Sequence, residues 1–572
     1  MDIKIWRNAC QNLETEVSKI EDDYSLSRPI ALFLAARNIS GKGIDEFLNP
    51  KLSNLSDPYR FTGIERAVAR LWEAIQKREA ILIHGDYDTD GITATALLSW
   101  VLKKNGADVY SFIPHRFDDG YGFTPDSLHK AIDTLEKDFK VLVTVDCGTT
   151  SNDAVAEATR LGIDTIVTDH HDPSSELPQA LALINPKLDP KLKDLGMLSG
   201  AGIAFKLSHA FVKYGRENNL GGFSVKLDEI LDYVALGTVA DIVPLLGENR
   251  ILVRHGMEIL RKQLRPGTRA LIETSKLRNE LNPSDITFKL APRINAAGRV
   301  GDAGIALKLL ESENIVDAYH YAEILEKYNG IRQGKEQEIF NEAKLQIEKN
   351  HDIANQYSIL VAGKNWHQGV IGIVASRLAR DYNRPAIVLT IQDGHAYGSG
   401  RSIGTLNLLE MLNESAKLLE RFGGHPMAVG LGLAEEKIAE FAKALESSVR
   451  SHLRASELEE ATLHDGIIGV EDLSDDFFEM LPKLSPFGHS NQKPLFRLNN
   501  MEVVKCMPAG EDHTRGVLRG LTGRSIDFIA FGRRVAEFQT GQLDILATPQ
   551  INDYYNVKKP QLMVTYIRFS EA

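Results

Sequence analysis

From Glu79 onward the chain alternates short apolar runs with helix-length amphipathic segments: ILIH (81–84), ADVYSFI (107–113), KVLVTV (140–145), DTIVT (164–168) and LALIN (181–185). This rhythm predicts a parallel sheet covered by helices on both faces. The first run ends in an acidic turn, HGDYDTDG, with Asp86, Asp88 and Asp90 at alternate positions ahead of a helix that opens at Gly91. KVLVTV runs into Asp146, Cys147 and Gly148, and DTIVT into Asp169, His170, His171 and Asp172; Asp241 stands in the apolar stretch ALGTVADIVPL. Parallel strands bring their carboxyl ends together, and the crevice beyond those ends is the usual ligand site of open α/β sheets. These acids and histidines are therefore predicted to share one pocket.

The pattern changes on either side. Residues 1–55 read as a helical lead-in, most apolar at RPIALFLAARNI, with no chemistry of its own. Residues 303–352 keep helical periodicity with mixed charges, a connector whose roughly 35 helical residues would span about 50 Å, with Asn329 and Gly330 as the place for a bend. Residues 353–455 return to an α/β pattern: YSILVAG, GVIGIVASRLARDY, PAIVLT. After 456 come short alternating strands, PLFRLNNMEVVKCM, TRGVLRGL, SIDFIAFG, QLDILATPQIND and QLMVTYIRF, which predict a small barrel. The fold expected is a multidomain α/β chain: lead-in to 55, parallel-sheet domain 56–302, connector helix 303–352, second α/β domain 353–455 and barrel 456–572.

Composition sets limits. At 572 residues, 43% of them hydrophobic, the chain has room for several cored domains. Cys10, Cys147 and Cys506 are far apart and lack CxxC spacing, which fits a reducing compartment. The N-terminus lacks a basic-then-apolar leader and no uncharged apolar run approaches membrane-spanning length, so the expectation is a cytoplasmic protein without membrane contact. The net charge of -12 works against phosphate neutralisation by bulk charge, so nucleic-acid binding would need local basic clusters or metal.

Several carboxylates with one or two imidazoles and no thiolate suit Mn²⁺ or Mg²⁺, and their number exceeds one coordination sphere, which predicts two ions. Such pairs serve phosphoester or phosphoanhydride hydrolysis. No GxxxxGK[ST] loop, HExxH helix or GxGxxG after the first strand competes with that reading.

HGDYDTDG (84–91), VDCG (145–148), DHH (169–171) and VADIVPL (239–245) together resemble the four motifs of the DHH phosphoesterase superfamily. With the segments that follow, the chain from about residue 60 resembles the bacterial RecJ family of single-strand-specific exonucleases. The resemblance implies a DHH parallel-sheet lobe, a long connector helix, a DHHA1 α/β lobe and a C-terminal OB-like β-barrel. It implies that Asp86, Asp88, Asp90, Asp146, His170 and Asp241 hold two ions, Mn²⁺ or Mg²⁺, with the catalytic Asp146 as the bridge. His171 would contact the scissile phosphate or protonate the leaving oxygen. His84 stands four residues before Asp88, as a metal-binding histidine does in related pyrophosphatases, but Asp86 could fill that place, so His84 is set behind the ligands.

Substrate contacts implied are Arg116 in IPHRFDDGYG and Arg299, with Arg293, in PRINAAGRVGDA, both read as loop-like. In the DHHA1 lobe they are Ser399 and Arg401 of SGRS and Gly423, Gly424 and His425 of GGH, with Trp366 and His367 as a further stacking or polar contact. In the barrel, Arg497, Lys505, Arg515, Arg519, Arg524, Arg533, Arg534, Lys558, Lys559 and Arg568, with Phe528, Phe531, Tyr554 and Tyr555, would track a single strand. The activity implied is a 5'-to-3' single-stranded-DNA exonuclease that releases 5'-mononucleotides in DNA repair and recombination. Single-stranded DNA is the expected partner, a helicase and a single-strand-binding protein are candidate ones, and the chain is expected to be a monomer. Two alternatives stay open: an oligoribonuclease or cyclic-dinucleotide phosphodiesterase of the superfamily, typically shorter and without the OB-like tail, and a non-catalytic single-strand-binding scaffold.

Overall fold

The computed structural model describes residues 5–116, 120, 122–277, 280–350, 352–459, 461–538, 541–552 and 558–570. The chain forms two compact units: Met1–Asn295, Asp302–Glu323 and Leu463–Ala572 make the first, and Ala296–Gly301 with Ile324–Thr462 the second.

After a short strand β1 (Ile5–Asn8), the first unit carries the predicted parallel sheet of β2 (Ala80–Gly85), β3 (Asp108–Phe112), β4 (Phe139–Val145), β5 (Asp164–Thr168) and β6 (Ala182–Ile184), in the order β3-β2-β4-β5-β6. Every residue of β2 is buried, as a strand covered on both faces requires. The strand order reverses between β2 and β4, which makes their carboxyl ends the natural ligand crevice. Register does the rest: Gly85 pairs with Val145 and Val145 with Thr168, so Asp86, Asp146 and Asp169 leave three adjacent strands from one row.

The second unit contains β7 (Ile359–Lys364), β8 (Ala386–Gln392), β9 (His395–Arg401), β10 (Arg421–His425) and β11 (Ala428–Ala434), in the order β10-β11-β9-β8-β7. The β7–β8 pair is parallel and the other pairs are antiparallel. The connector is a 36-residue helix, Ile315–Asn350, whose helical hydrogen bonding runs unbroken through Asn329 and Gly330. A lone helical glycine costs only about 1 kcal/mol, too little to end a helix of that length.

β12 (Ala461–His464) and β13 (Gly466–Ile467) lead to β14 (Phe496–Pro508), β15 (Thr514–Arg519), β16 (Ser525–Ala530), β17 (Gln542–Asn552) and β18 (Lys559–Phe569). β14 pairs with both β15 and β17, closing the circuit β14-β15-β16-β18-β17 into a barrel. The N-terminal helices Glu14–Tyr24, Arg28–Ala35 and Lys42–Leu48 share its core, with Ile30, Phe33 and Phe47 in one cluster with Phe477, Phe496 and Phe528. Arg37 fixes this packing through an ion pair of 2.8 Å to Asp465. The amphipathic pattern of the lead-in gave no partner for its apolar face; the partner is the cluster around Phe477, Phe496 and Phe528, far away at the other end of the chain. Among the described residues no helix is long and apolar enough to cross a membrane.

Candidate metal centre and active site

The acidic turn is built by helix capping. Asp88 caps the helix Thr89–Lys104, and its Oδ1 accepts the Asp90 and Gly91 N–H groups at 2.9 and 3.1 Å. Capping uses one oxygen and leaves the other free. Asp90 is held from across the fold: its oxygens accept the Gly200 and Ala201 N–H groups at 2.6 and 2.9 Å. Those donors open the helix Gly200–Glu217, which is capped by Ser199. Asp146 follows β4 with φ of 61°, a left-handed conformation that aspartate tolerates better than most residues. Asp241 ends the helix Leu231–Ala240; it reaches the pocket from a helix and not from a strand end.

These residues converge. His170 Nε2 lies 3.0 Å from Asp146 Oδ1, 3.7 Å from Asp241 Oδ2 and 3.9 Å from Asp90 Oδ2. Ligand atoms of Asp90, His170 and Asp241 form one group, those of Asp86, Asp88 and Asp146 a second, and those of Asp146, His170 and His171 a third, each within 4.8 Å. Three of the atoms, Asp86 Oδ1, Asp146 Oδ1 and His170 Nε2, are buried without a hydrogen bond among the described residues, the last two approaching each other at 3.0 Å without hydrogen-bond geometry. Buried polar atoms seldom stay unpaired unless a bound species completes them. Hard oxygen donors with one imidazole fit Mn²⁺ or Mg²⁺.

The electrostatics agree. Burial and the neighbouring Asp88 charge push Asp86 and Asp90 up to about 7. Burial, Asp90 and Asp88 push Asp241 up to about 9, and the same causes raise Asp146 well above the carboxylate range. The nearby His171, Arg116 and Lys187 charges do not offset this crowding of carboxylates. Burial and the adjacent His171 charge press His170 down to about 3, leaving it neutral and able to ligate.

His171 behaves oppositely. Burial would lower it, but its Nδ1 lies 2.8 Å from Asp169 Oδ1, and that bond and charge raise it to about 9. Asp169 is itself held well below the usual carboxylate range, since the His171 side chain and the backbone N–H groups of His171 and Thr149 outweigh its burial. Arg116 sits 5.2 Å from the Tyr87 ring and its charge is felt at Asp86. His84 is buried in β2, 3.0 Å from Ser127 Oγ and packed against Phe112 and Phe123; it belongs to none of the ligand groups.

The first unit thus brings together Asp86, Asp88, Asp90, Asp146, His170, His171, Asp241 and Arg116. Sequence reasoning missed the residues that hold them, above all Ser199, Gly200 and Ala201. A Cβ on Gly200 would stand 2.5 Å from Asp146 Oδ1, and one on Gly237 would stand 2.6 Å from Asp90 Oδ1. The readable signal was Ser199 followed by GAG at the head of an apolar helix, the pattern of a capped start.

In the second unit, Ser399 pairs with Gly430 and Gly430 with Gly423, while Arg401 pairs with Ala428 and Ala428 with His425. Residues directly opposite across antiparallel strands share a face, so Ser399, Arg401 and His425 flank a floor of small residues. The Arg401 guanidinium donates to Ser399 Oγ at 3.1 Å. GGH lies in regular structure: Gly423, Gly424 and His425 form the edge strand β10, because each stays in register with β11. Arg293 and Arg299 likewise stand on the helix Ala291–Val300, not in a loop; Arg299 donates to Gly369 O at 3.0 Å. Trp366 is 4% exposed and its Nε1 donates to Glu342, so it is core and not a stacking surface. His367 caps the helix Gln368–Tyr382 by accepting the Gly369 N–H.

On the barrel, Phe528 is core, whereas Phe531 is 56% exposed and lines a cleft of about 640 Å³ with Lys505 and Arg515. Arg497 is bound to Asp544 at 2.7 Å and Arg524 to the Glu471 and Leu473 carbonyls. Tyr554 and Tyr555 lie outside the described residues.

Family models match in three places: the DHH family N-terminal domain at residues 80–238, the DHHA1 domain at 355–451 and the RecJ OB domain at 464–566. The fold and site define a DHH-type α/β protein with an appended OB barrel. A single-stranded-DNA-specific exonuclease RecJ of Bacillus subtilis is 35% identical over 98% of this chain and 70% of its own length. That of Dickeya dadantii is 36% identical over 91% of this chain and 93% of its own. The crystal structure of RecJ from Thermus thermophilus in complex with Mn²⁺ superposes with a TM-score of 0.81 at 28% identity, covering 98% of this chain and 78% of that one. Its Mg²⁺ complex gives 0.75 at 27% identity, covering 98% and 77%. The chain belongs to the RecJ family.

Proposed function

We propose that this chain is a metal-dependent exonuclease that degrades single-stranded DNA to 5'-mononucleotides from the 5' end. The observation that carries the reading is the pocket of mutually repelling carboxylates around His170, with three buried ligand atoms left unpaired. Asp86, Asp88 and Asp146 would hold one ion and Asp90, His170 and Asp241 the other, with Asp146 close enough to His170 to serve both. Ions so held supply Lewis-acid polarisation of a phosphoryl oxygen and a water activated at neutral pH.

The chain's own groups do the rest. His171, cationic and oriented by Asp169, is placed to contact the phosphate or protonate the leaving oxygen. Arg116 offsets charge developing on the phosphate. Ser399, Arg401, Gly423, Gly424 and His425, with Arg299, would grip phosphates in the second unit, and Lys505, Arg515 and Phe531 would track the strand on the barrel. Direction, DNA repair and recombination as the setting, a monomeric state, a cytoplasmic location, and helicase and single-strand-binding partners follow from the family resemblance and belong to the same proposal. With 5'-labelled single-stranded DNA and Mn²⁺, Asp146→Ala should abolish turnover while strand binding persists. Undiminished turnover by that variant contradicts the assignment.

A further inference from the structure

Thr89 lies between Asp88 and Asp90 and is only 1% exposed. As the first residue of its helix it has an N–H with no intrahelical acceptor. Asn295, 206 positions later, supplies one: its Oδ1 accepts both the Thr89 N–H and the Thr89 hydroxyl, each at 2.8 Å. The hydroxyl also lies 3.3 Å from Ala291 O, on the same helix as Asn295.

The place of that contact matters. Asp88 belongs with Asp86 and Asp146 in one ligand group, and Asp90 belongs with His170 and Asp241 in the other. The Thr89 peptide therefore sets the spacing between the two groups. Asp88 is tied by its own cap and Asp90 by Gly200 and Ala201, so a rotation at Thr89 would move both carboxylates at once. Asn295 blocks that rotation.

We infer that Asn295 is a positioning residue that holds the metal-binding turn through Thr89, an inference that rests on the metal-dependent reading above. In this role it acts through Thr89 and not as a ligand. Groups that orient metal ligands from behind commonly change affinity or rate by about 10- to 100-fold when removed.

The test compares Asn295→Ala, Asn295→Asp, Thr89→Val and Thr89→Ser in the full chain. Mn²⁺ affinity by calorimetry, kcat and KM on single-stranded DNA at saturating Mn²⁺, and melting temperature are measured for each. Asn295→Ala should weaken Mn²⁺ binding and lower kcat by about tenfold or more, with KM for the strand within about twofold of the parent. Thr89→Ser keeps both donors, so it should stay close to the parent, whereas Asn295→Asp keeps the acceptor oxygen but adds a charge beside the crowded carboxylates and should show a loss that saturating Mn²⁺ reduces. Thr89→Val removes the hydroxyl alone and should fall between, and it carries the test if Asn295→Ala does not fold. The inference is overturned if Asn295→Ala binds Mn²⁺ like the parent, if only its melting temperature drops, or if Thr89→Ser is as impaired as Asn295→Ala. Failure of the functional reading looks different: the parent would then leave single-stranded DNA intact, while the Mn²⁺ affinities would still decide the role of Asn295.

Discussion

The His171 imidazole and the Asp169 carboxylate lie 2.8 Å apart, Nδ1 to Oδ1, and each shifts the other toward its charged form. An imidazolium held beside a cluster of ligand carboxylates is a ready proton donor. Asp169→Asn should therefore lower kcat by roughly 10²- to 10⁴-fold, the usual worth of a positioned acid or base, with Mn²⁺ binding largely retained. Single-turnover rates measured alongside metal titrations check this, and a variant with the parent rate removes His171 from the chemistry.

The crowded carboxylates make a prediction about pH. Asp86 and Asp90 are raised to about 7 and Asp241 to about 9, from 3.8. A group whose folded-state pKa is raised gives stability that is complete below its unfolded pKa and disappears as pH climbs through the folded one. His171, raised from 6.5 to about 9, acts with the same sign. His170, lowered to about 3, acts with the opposite sign but only below about 6.5. Metal-free protein should thus lose melting temperature as pH rises from about 4 to 9, Asp86 and Asp90 contributing up to about pH 7 and Asp241 and His171 up to about 9, with His170 opposing below about 6.5, and Mn²⁺ should abolish the loss. Melting curves in EDTA and in Mn²⁺ across that window measure it; parallel curves would mean the carboxylates are not the metal site.

Gly200 is predicted to be intolerant of the smallest side chain. A Cβ there meets Asp146 Oδ1, Cβ and Cγ at 2.5 to 2.6 Å, while the Gly200 N–H holds Asp90. Gly200→Ala should cost about 1 to 3 kcal/mol by overpacking and weaken Mn²⁺ binding more than a comparably destabilising change elsewhere. Calorimetric metal titration of the folded variant, paired with its melting curve, decides.

Arg250 offers a prediction about architecture. Its buried guanidinium stacks on Phe47 and donates to the carbonyls of Phe47, Lys483, Leu484 and Ser485. Arg250→Met would take this donor from all four carbonyls, of which Leu484 and Ser485 keep Asn491 and Arg254, and should destabilise the chain by roughly 3 kcal/mol. Denaturant unfolding measures the loss, and limited proteolysis should show the N-terminal segment released first.

The shared core of the N-terminal helices and the barrel makes deletion of 456–572 a poor test of strand binding, because it would strip the partner from Ile30, Phe33 and Phe47. Phe531→Ala and Arg515→Ala are cleaner. Both should weaken binding of long strands, by about 1 to 3 kcal/mol for the aromatic, while hydrolysis of a short oligonucleotide changes little. The arginine variant should also reduce the salt dependence. Unchanged long-strand affinity in both would move the strand path elsewhere.

Much of this was legible in the residues. The alternation of continuous apolar runs with helix-length amphipathic segments revealed the parallel sheet, and the acids at its strand ends pointed to a site, because a carboxylate in that position needs a reason. The motif order carried the ligand set to Asp241, although that residue reaches the pocket from a helix. Less legible was whatever depends on long-range pairing. Gly423 and Gly424 read as substrate contacts with no element assigned, because only pairing with β11 makes them a strand. Arg293 and Arg299 read as loop residues among glycines, yet their segment closes as a helix. Trp366 looked like a stacking surface because a sequence does not show that Glu342 waits for its N–H. The supports of the site, Gly200 against Asp146 and Asn295 against Thr89, join positions too far apart for any local pattern to reveal.

The central claim is metal-dependent hydrolysis of single-stranded DNA, and one assay meets it directly. 5'-labelled single-stranded DNA, duplex DNA and two- to four-residue RNA are incubated with the protein in Mn²⁺, Mg²⁺ or EDTA. The account predicts 5'-mononucleotides released from the single strand in Mn²⁺ or Mg²⁺, little from the duplex, and none in EDTA. Equal activity in EDTA, or a preference for the short RNA, would contradict it.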